Sequence, residues 1–296
     1  MGNKNTLFHL LAAFTIIIWG ITLISTKILI LNGLSPAGIM LYRFVIAYAV
    51  LWLFYPHLPR VKNIKDEGIF FAAGFFGGTV YFLTENTAVG MTNTSNVALI
   101  VTTAPLLTAF IANFTLKNEP LKRNTLTGSL IALGGVFLIV FNGNFILQLN
   151  PAGDLLSFFS ALSWAVYSIL IKKISHKYPV LFTTRRVFFY SILTLLPWFC
   201  YEPFPRDFSV LLRKEVLFNL LFLSIIASSL CFYIWNIIIK NLGAVRTNNY
   251  IYFISIVTMV VSWLVLDETI TAYAILGAIL ILSGVYLAEH SPNQIK

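Results

Sequence analysis

Charge is what this sequence has least of. Only 10% of its 296 residues are Asp, Glu, Lys or Arg, against 58% hydrophobic, and the mean hydropathy is +0.84. That is too little polar surface to coat a soluble domain, and it matches a chain dissolved in lipid. Cysteine is nearly absent. Cys200 and Cys231 cannot build a disulfide framework and lack metal-ligand spacing, so they read as apolar fillers. The four histidines, His9, His57, His176 and His290, fall near predicted helix ends or in loops. The sequence holds no H-E-x-x-H, no G-x-S-x-G and no G-x-x-x-x-G-K-[ST]. Catalytic residues, a metal site and a cofactor are therefore not expected, and an enzyme is the weakest reading. A net charge of +9 would point to nucleic acid in a soluble protein. Here the basic residues sit in short loops between apolar runs, where orientation in a bilayer accounts for them and no nucleic-acid partner is needed.

What the sequence has in quantity is apolar runs of about 20 residues, the length a bilayer-spanning helix requires. Five occupy the first half: Leu7 to Ile30, Pro36 to Tyr55, Gly68 to Val89, Thr94 to Leu116 and Thr125 to Phe141. Five more follow: Gly153 to Ile174, Val180 to Tyr201, Val216 to Ile239, Ala244 to Leu266 and Ala272 to Ala288. The first run lacks a small-residue cleavage site and is too long for a signal-peptide core, so it is expected to stay as a helix.

The two sets of five are copies. From Glu119 the steps lead to Gly128, Gly135, Val136, Phe137 and Leu138; from Glu268 they lead to Gly277, Gly284, Val285, Tyr286 and Leu287, each glycine 149 positions on. Trp19 and Lys27 are matched by Trp164 and Lys172, Pro36 and Arg43 by Pro179 and Arg186, and Asn86 by Asn236. Five is odd, so the second copy must enter the membrane from the opposite side, and a direct sequence repeat becomes an inverted structural one. The expected fold is an all-α membrane protein of ten transmembrane helices in two inverted five-helix repeats, residues 1–145 and 150–296. The Phe141 to Asp154 stretch, rich in Asn, Gly and Pro and free of basic residues, joins them.

Loop charges orient the chain. With the N-terminus inside, thirteen basic residues fall on the cytoplasmic side and only Lys27, Arg206, Arg213 and Lys214 outside. The expectation is a multi-pass protein of the cell membrane with both termini cytoplasmic. The halves are already joined covalently, which is consistent with a monomer.

These residues resemble the EamA-type branch of the drug/metabolite transporter superfamily. The resemblance spans essentially the whole chain and rests on Trp19-Gly20 leading to Lys27, on Arg43, and on Ala104-Pro105 through Glu119 to Gly135. In the second half it rests on Asn236, Leu242-Gly243-Ala244 and Asp267-Glu268 through Gly284. It implies ten-helix exporters made of two inverted repeats and names no single substrate. Where the family often carries a proline in the ninth helix, this chain has Ser255, so no proline kink is expected there to match Pro105.

Function is argued from polar residues inside the spans, which are costly in lipid and usually face a cavity or a partner. Arg43 lies roughly 10 Å from the outer start of its helix at 1.5 Å per residue, and Glu85 is near the outer end of the third, so the two are expected to pair. Glu85 is the only acid well inside a predicted span. A carboxylate kept from water takes up a proton more readily, the chemistry a proton-coupled carrier needs, which makes Glu85 the candidate for proton coupling. Arg185 and Arg186 lie near the inner end of the seventh helix, where snorkelling to the interface is the bland reading. Arg186 has Trp235, not an acid, at the position matching Glu85, and so is a candidate for a substrate carboxylate. Trp19 and Trp164 at mid-span are placed to sandwich the apolar or cationic part of a substrate, with packing between helices as the competing role. Tyr81, Asn86 and Asn236 complete the candidate substrate-binding set. Thr22, Ser25, Thr26, Asn96, Thr102, Tyr167, Asn249 and Tyr250 belong to a wider polar lining, most of which helix-to-helix hydrogen bonds would satisfy, and Gly74, Gly77 and Gly78 allow close helix approach. The expected function is a secondary active exporter of small metabolites such as amino acids, whose partners are a small-molecule substrate and the lipid bilayer. A channel or a membrane-embedded sensor is the alternative.

Overall fold

A computed structural model of the chain describes residues 2–57, 61–92, 94–141, 150–202, 209–266 and 270–289. These residues contain no strand, and ten helical crossings follow one another. The first half has α1 (Gly2–Leu31), α2 (Pro36–Phe54), α3 (Ile64–Met91), α4 (Asn96–Thr115) and α5 (Arg123–Phe141). The second has α6 (Pro151–Ile174), α7 (Val180–Cys200), α8 (Lys214–Leu242), α9 (residues 244–266) and α10 (Ala272–Glu289). Among the described residues nine are long and apolar enough to cross a membrane as single helices. The tenth, α9, is in two pieces, Ala244–Asn248 and Phe253–Leu266, joined by the 3-10 turn Asn249–Tyr252. Asp267 and Glu268 lie outside the described residues, as do Asn142, Gly143 and Asn144 of the connector.

Local chemistry fixes where the helices begin. Ser35 and Asn150 stand before α2 and α6, and their side chains accept from the amides of Gly38 and Gly153, each at 3.1 Å. A proline follows both, where its missing N–H costs nothing. The start of α9 is capped from the other half. The Glu119 carboxylate, in the turn after α4, accepts from Ala244 N at 3.1 Å and Val245 N at 2.8 Å. Gly243 makes room for this, with φ of +100°, and a side chain there would collide with the Glu119 carboxylate.

The helices α5 and α10 lie against each other at backbone distance. A Cβ on Gly128 would strike the Gly284 carbonyl, and one on Gly284 the Gly128 carbonyl; Gly135 and Gly277 stand in the same relation. Each glycine of one repeat therefore meets the non-equivalent glycine of the other, the reciprocal pattern that a two-fold axis produces. The paired lysines agree. Lys27 of α1 donates to Val89 O near the end of α3 at 2.8 Å, and Lys172 of α6 donates to Ile239 O and Lys240 O near the end of α8, each at 3.3 Å.

Four crossings are interrupted, and the interruptions match between halves. In α4 the break falls at Thr102 and Thr103, just ahead of Pro105, and their hydroxyls take the carbonyls of Leu99 and Ile100. Its counterpart in α9 needs no proline. Ser255 leaves the chain free to continue, yet the turn at Asn249–Tyr252 forms, next to Asn248, whose side chain accepts from Trp164 and donates to Ala244 O. A kink that the sequence tied to proline is thus made by side-chain hydrogen bonds instead. The other matched pair is π-helical: Phe75–Val80 in α3 and Phe222–Leu230 in α8.

Candidate functional site

The interrupted helices surround one cavity. It is lined by Trp19, Thr22 and Leu23 of α1, Arg43 of α2, Tyr81, Phe82 and Glu85 of α3, and Ala98, Val101 and Thr102 of α4, with Trp164, Phe232, Ile251 and Ile254 from the second half. Five of the eight candidate residues, Trp19, Arg43, Tyr81, Glu85 and Trp164, come together here. Thr22 and Thr102 of the wider lining are there too. The cavity occupies the half of the bundle near the α1–α2 turn; the opposite half, near the α6–α7 turn, is drawn together by charge.

Arg43 and Glu85 share the cavity without pairing. Among the described residues no ion pair within 4.0 Å joins them. Arg43 is 3% exposed; its Nε donates to Ser228 Oγ at 2.5 Å, and its guanidinium carbon sits 4.4 Å from the centre of the Phe82 ring, in cation–π range. Glu85 accepts from the Tyr81 hydroxyl at 2.7 Å, one turn back on the same helix. The expected pair is replaced by two separate anchors, because Ser228 and Tyr81 reach the two charges first. One cation and one acid are left facing the same space.

Trp19 and Trp164 meet, but as neighbours. Their rings are 5.3 Å apart at 87°, an edge-to-face contact that leaves no slot for a guest between them. The expected sandwich is corrected to a continuous aromatic wall. Trp235 packs against Trp19 at 4.8 Å with the rings tilted by 51°, Tyr81 touches Trp164 at 5.0 Å and Phe232 lies 5.6 Å from Trp164. Each indole N–H is taken: Trp19 donates to Ala227 O at 3.0 Å and Trp164 to Asn248 Oδ1 at 2.9 Å. The rings are held in place and present apolar faces to the cavity.

The other three candidates lie elsewhere. Arg186 does have an acid, contrary to the sequence comparison with Trp235. Its Nη2 lies 2.5 Å from Glu67 Oε1, and the Tyr190 hydroxyl donates to the same oxygen. Glu67 stands one residue ahead of the Gly68 to Val89 apolar run and so lies outside the span that the sequence marks. Arg185 is buried and donates to the carbonyls of Tyr55 and His57, just past the end of α2. Asn236 is fully used in packing: its Oδ1 accepts from Tyr167 and its Nδ2 donates to Thr184, at 2.8 and 2.9 Å. Asn86 donates to Pro36 O at 3.2 Å, and its buried Oδ1 makes no hydrogen bond. The two amides thus tie equivalent helices, α3 to α2 and α8 to α7, in place of facing the cavity.

Sequence reasoning missed Ser228, Ala227, Phe82 and Phe232. The one available signal was the repeat, since Ala227 and Ser228 stand 150 positions after Gly77 and Gly78, glycines already marked for close packing.

Known proteins bear on this geometry. An Archaeoglobus fulgidus protein named an uncharacterized transporter is 27% identical over 98% of this chain and 100% of its own length. The uncharacterized transporter YyaM of Bacillus subtilis is 28% identical over 86% of this chain and 85% of its own. An Escherichia coli protein named "Probable amino-acid metabolite efflux pump" is 22% identical over 94% and 93%. One protein crystal structure superposes with a TM-score of 0.77 at 17% identity over 96% of both chains, a likeness of fold. The EamA-like transporter family model matches twice, over residues 6–141 and 151–289. With both copies of the family unit accounted for, this chain belongs to the EamA-like transporter family.

Proposed function

We propose that this transporter is a secondary active exporter of small zwitterionic metabolites, amino acids foremost. The observation that carries the reading is the cavity in which Arg43 and Glu85 face one space without neutralising each other. Such a space is matched to a solute with one charge of each sign. Arg43 takes the carboxylate, Glu85 takes the amine or, in its absence, a proton, and Trp19 and Trp164 cover the apolar part. The Escherichia coli relative's name, an amino-acid metabolite efflux pump, supports the same class.

The two halves, 1–145 and 150–296, act as inverted repeats that rock against each other around this site. The reciprocal glycine contacts of α5 and α10 support that relation. With both termini in the cytoplasm of a cell-membrane protein, the cavity lies in the outer half and the Arg186 to Glu67 cluster closes the inner one.

Solute counterflow in proteoliposomes tests the reading without knowledge of the coupling ion. Purified protein is loaded with one unlabelled amino acid and presented with the same labelled compound, against organic cations and nucleosides as comparators. Uphill accumulation of a labelled amino acid is the expected result. A channel gives no counterflow, and a sensor binds without moving label; either outcome overturns the carrier.

A further inference from the structure

The arginine and the tryptophan of the cavity are held by neighbouring residues of one irregular turn. In Phe222–Leu230 of α8 the amide of Cys231 donates to Ile226 O, five residues back, and passes over Ala227. The passed-over Ala227 carbonyl accepts the Trp19 indole at 3.0 Å, and the next residue, Ser228, accepts from Arg43 Nε at 2.5 Å. The turn is braced by its own hydroxyls. Ser224 donates to Leu220 O at 2.6 Å, and Ser229 reaches Ser224 O at 2.9 Å and Ala47 O of α2 at 3.3 Å. The matching turn of α3 has the same register, with Tyr81 N donating to Phe76 O and passing over Gly77. It carries Gly78 where α8 has Ser228, so only α8 offers a hydroxyl.

A guanidinium has five N–H donors in a rigid fork. Bonding Nε to a fixed hydroxyl sets the plane of the fork, and the Phe82 face holds it from one side. Nη1 and Nη2 make no hydrogen bond or ion pair among the described residues, and Arg43 lines the cavity. We infer that Ser228 is the positioning residue that aims the two terminal nitrogens of Arg43 at a substrate carboxylate, and thereby sets the preference for acids over their uncharged derivatives. This rests on the zwitterion reading, and it assigns selectivity to a side chain that touches no substrate itself.

The test has two arms. In the first, nitrogen-15 NMR follows exchange of the arginine Nε–H groups with solvent, Arg43 being assigned by its loss in Arg43→Lys. Slow exchange is expected in the unaltered protein and in Ser228→Thr, and fast exchange in Ser228→Ala. In the second, counterflow is competed with an amino acid and with its methyl ester. Ser228→Ala is expected to weaken competition by the acid about tenfold, the scale of a lost hydrogen bond to a charged group, and to leave the ester unchanged. Ser228→Thr restores the acid. A purely structural role would weaken both competitors together, and that result overturns the inference, as does equal Nε–H exchange in all three proteins. If no amino acid competes while the exchange pattern holds, the zwitterion reading fails and the anchoring of Arg43 by Ser228 stands.

Discussion

The first and second halves of the molecule carry the same breaks at the same places and occupy them differently. In the first half, Arg43 lines the cavity and its terminal nitrogens make no hydrogen bond or ion pair among the described residues; in the second, its counterpart Arg186 is closed against Glu67 and Tyr190. The π turn of α3 is lined by Gly77 and Gly78, whose missing side chains let Tyr167 and Ser191 approach the backbone. The π turn of α8 carries Ala227 and Ser228 and serves as a polar anchor. Duplication repeats the frame, and different residues at matched positions leave a cavity on one face, the proposed site, and a closed ion pair, a lock, on the other.

The sharpest way to break that contrast is to remove the two arginines in turn. Arg43→Gln is expected to cost roughly 2–5 kcal/mol in recognition of a carboxylate substrate, thirtyfold or more in half-saturating concentration, with the fold intact by circular dichroism. Arg186→Gln is expected to lower the thermal midpoint and to leave acid-over-ester selectivity alone. Equal effects on selectivity would erase the distinction between site and lock.

The acid of the cavity comes next. Glu85→Gln keeps an acceptor for the Tyr81 hydroxyl but can neither exchange a proton nor pair with an ammonium, so transport is expected to lose its pH dependence and binding of an amine-bearing solute to weaken. A pH profile that survives the substitution removes Glu85 from coupling.

The glycine contacts test the symmetric part of the comparison. Gly128→Leu and Gly284→Leu each force a side chain into the opposite backbone, and each is expected to destabilise by roughly 1–3 kcal/mol or prevent folding. Melting in detergent should rank them alike, and a large difference would argue against a two-fold relation. The smallest effects belong to the amides. Asn236→Ala leaves the buried Tyr167 hydroxyl without its partner, at about 1–3 kcal/mol, whereas Asn86→Ala loses one hydrogen bond of about 1 kcal/mol; selectivity should move in neither.

Much of the fold was legible in the chain because hydropathy and spacing run along it. The ten crossings follow from apolar runs, and the Gly128 and Gly135 motif with its copy marks the duplication, although the contact these glycines make between α5 and α10 is seen only in the structure. The candidate site was legible as far as Trp19, Arg43, Tyr81, Glu85 and Trp164. Depth along single helices puts Arg43 and Glu85 in the outer half and the two tryptophans at mid-span but does not say what each bonds. Charge and a shared outer half suggest an Arg43 to Glu85 pair, and an acid beside Arg186 is not visible from the apolar spans because Glu67 sits on the first turn of α3.

The sequence by itself determined a duplicated membrane helical chain, its breakpoint at Pro105 and the residue types available to its cavity, since each is a property of neighbours in the chain. Only the tertiary structure decided that Arg43 would hang from Ser228, that the two tryptophans would meet edge to face, and that α9 would break without a proline. Those outcomes depend on which carbonyl a π turn leaves free and which helix face arrives beside it, and both are settled by packing between segments far apart in sequence.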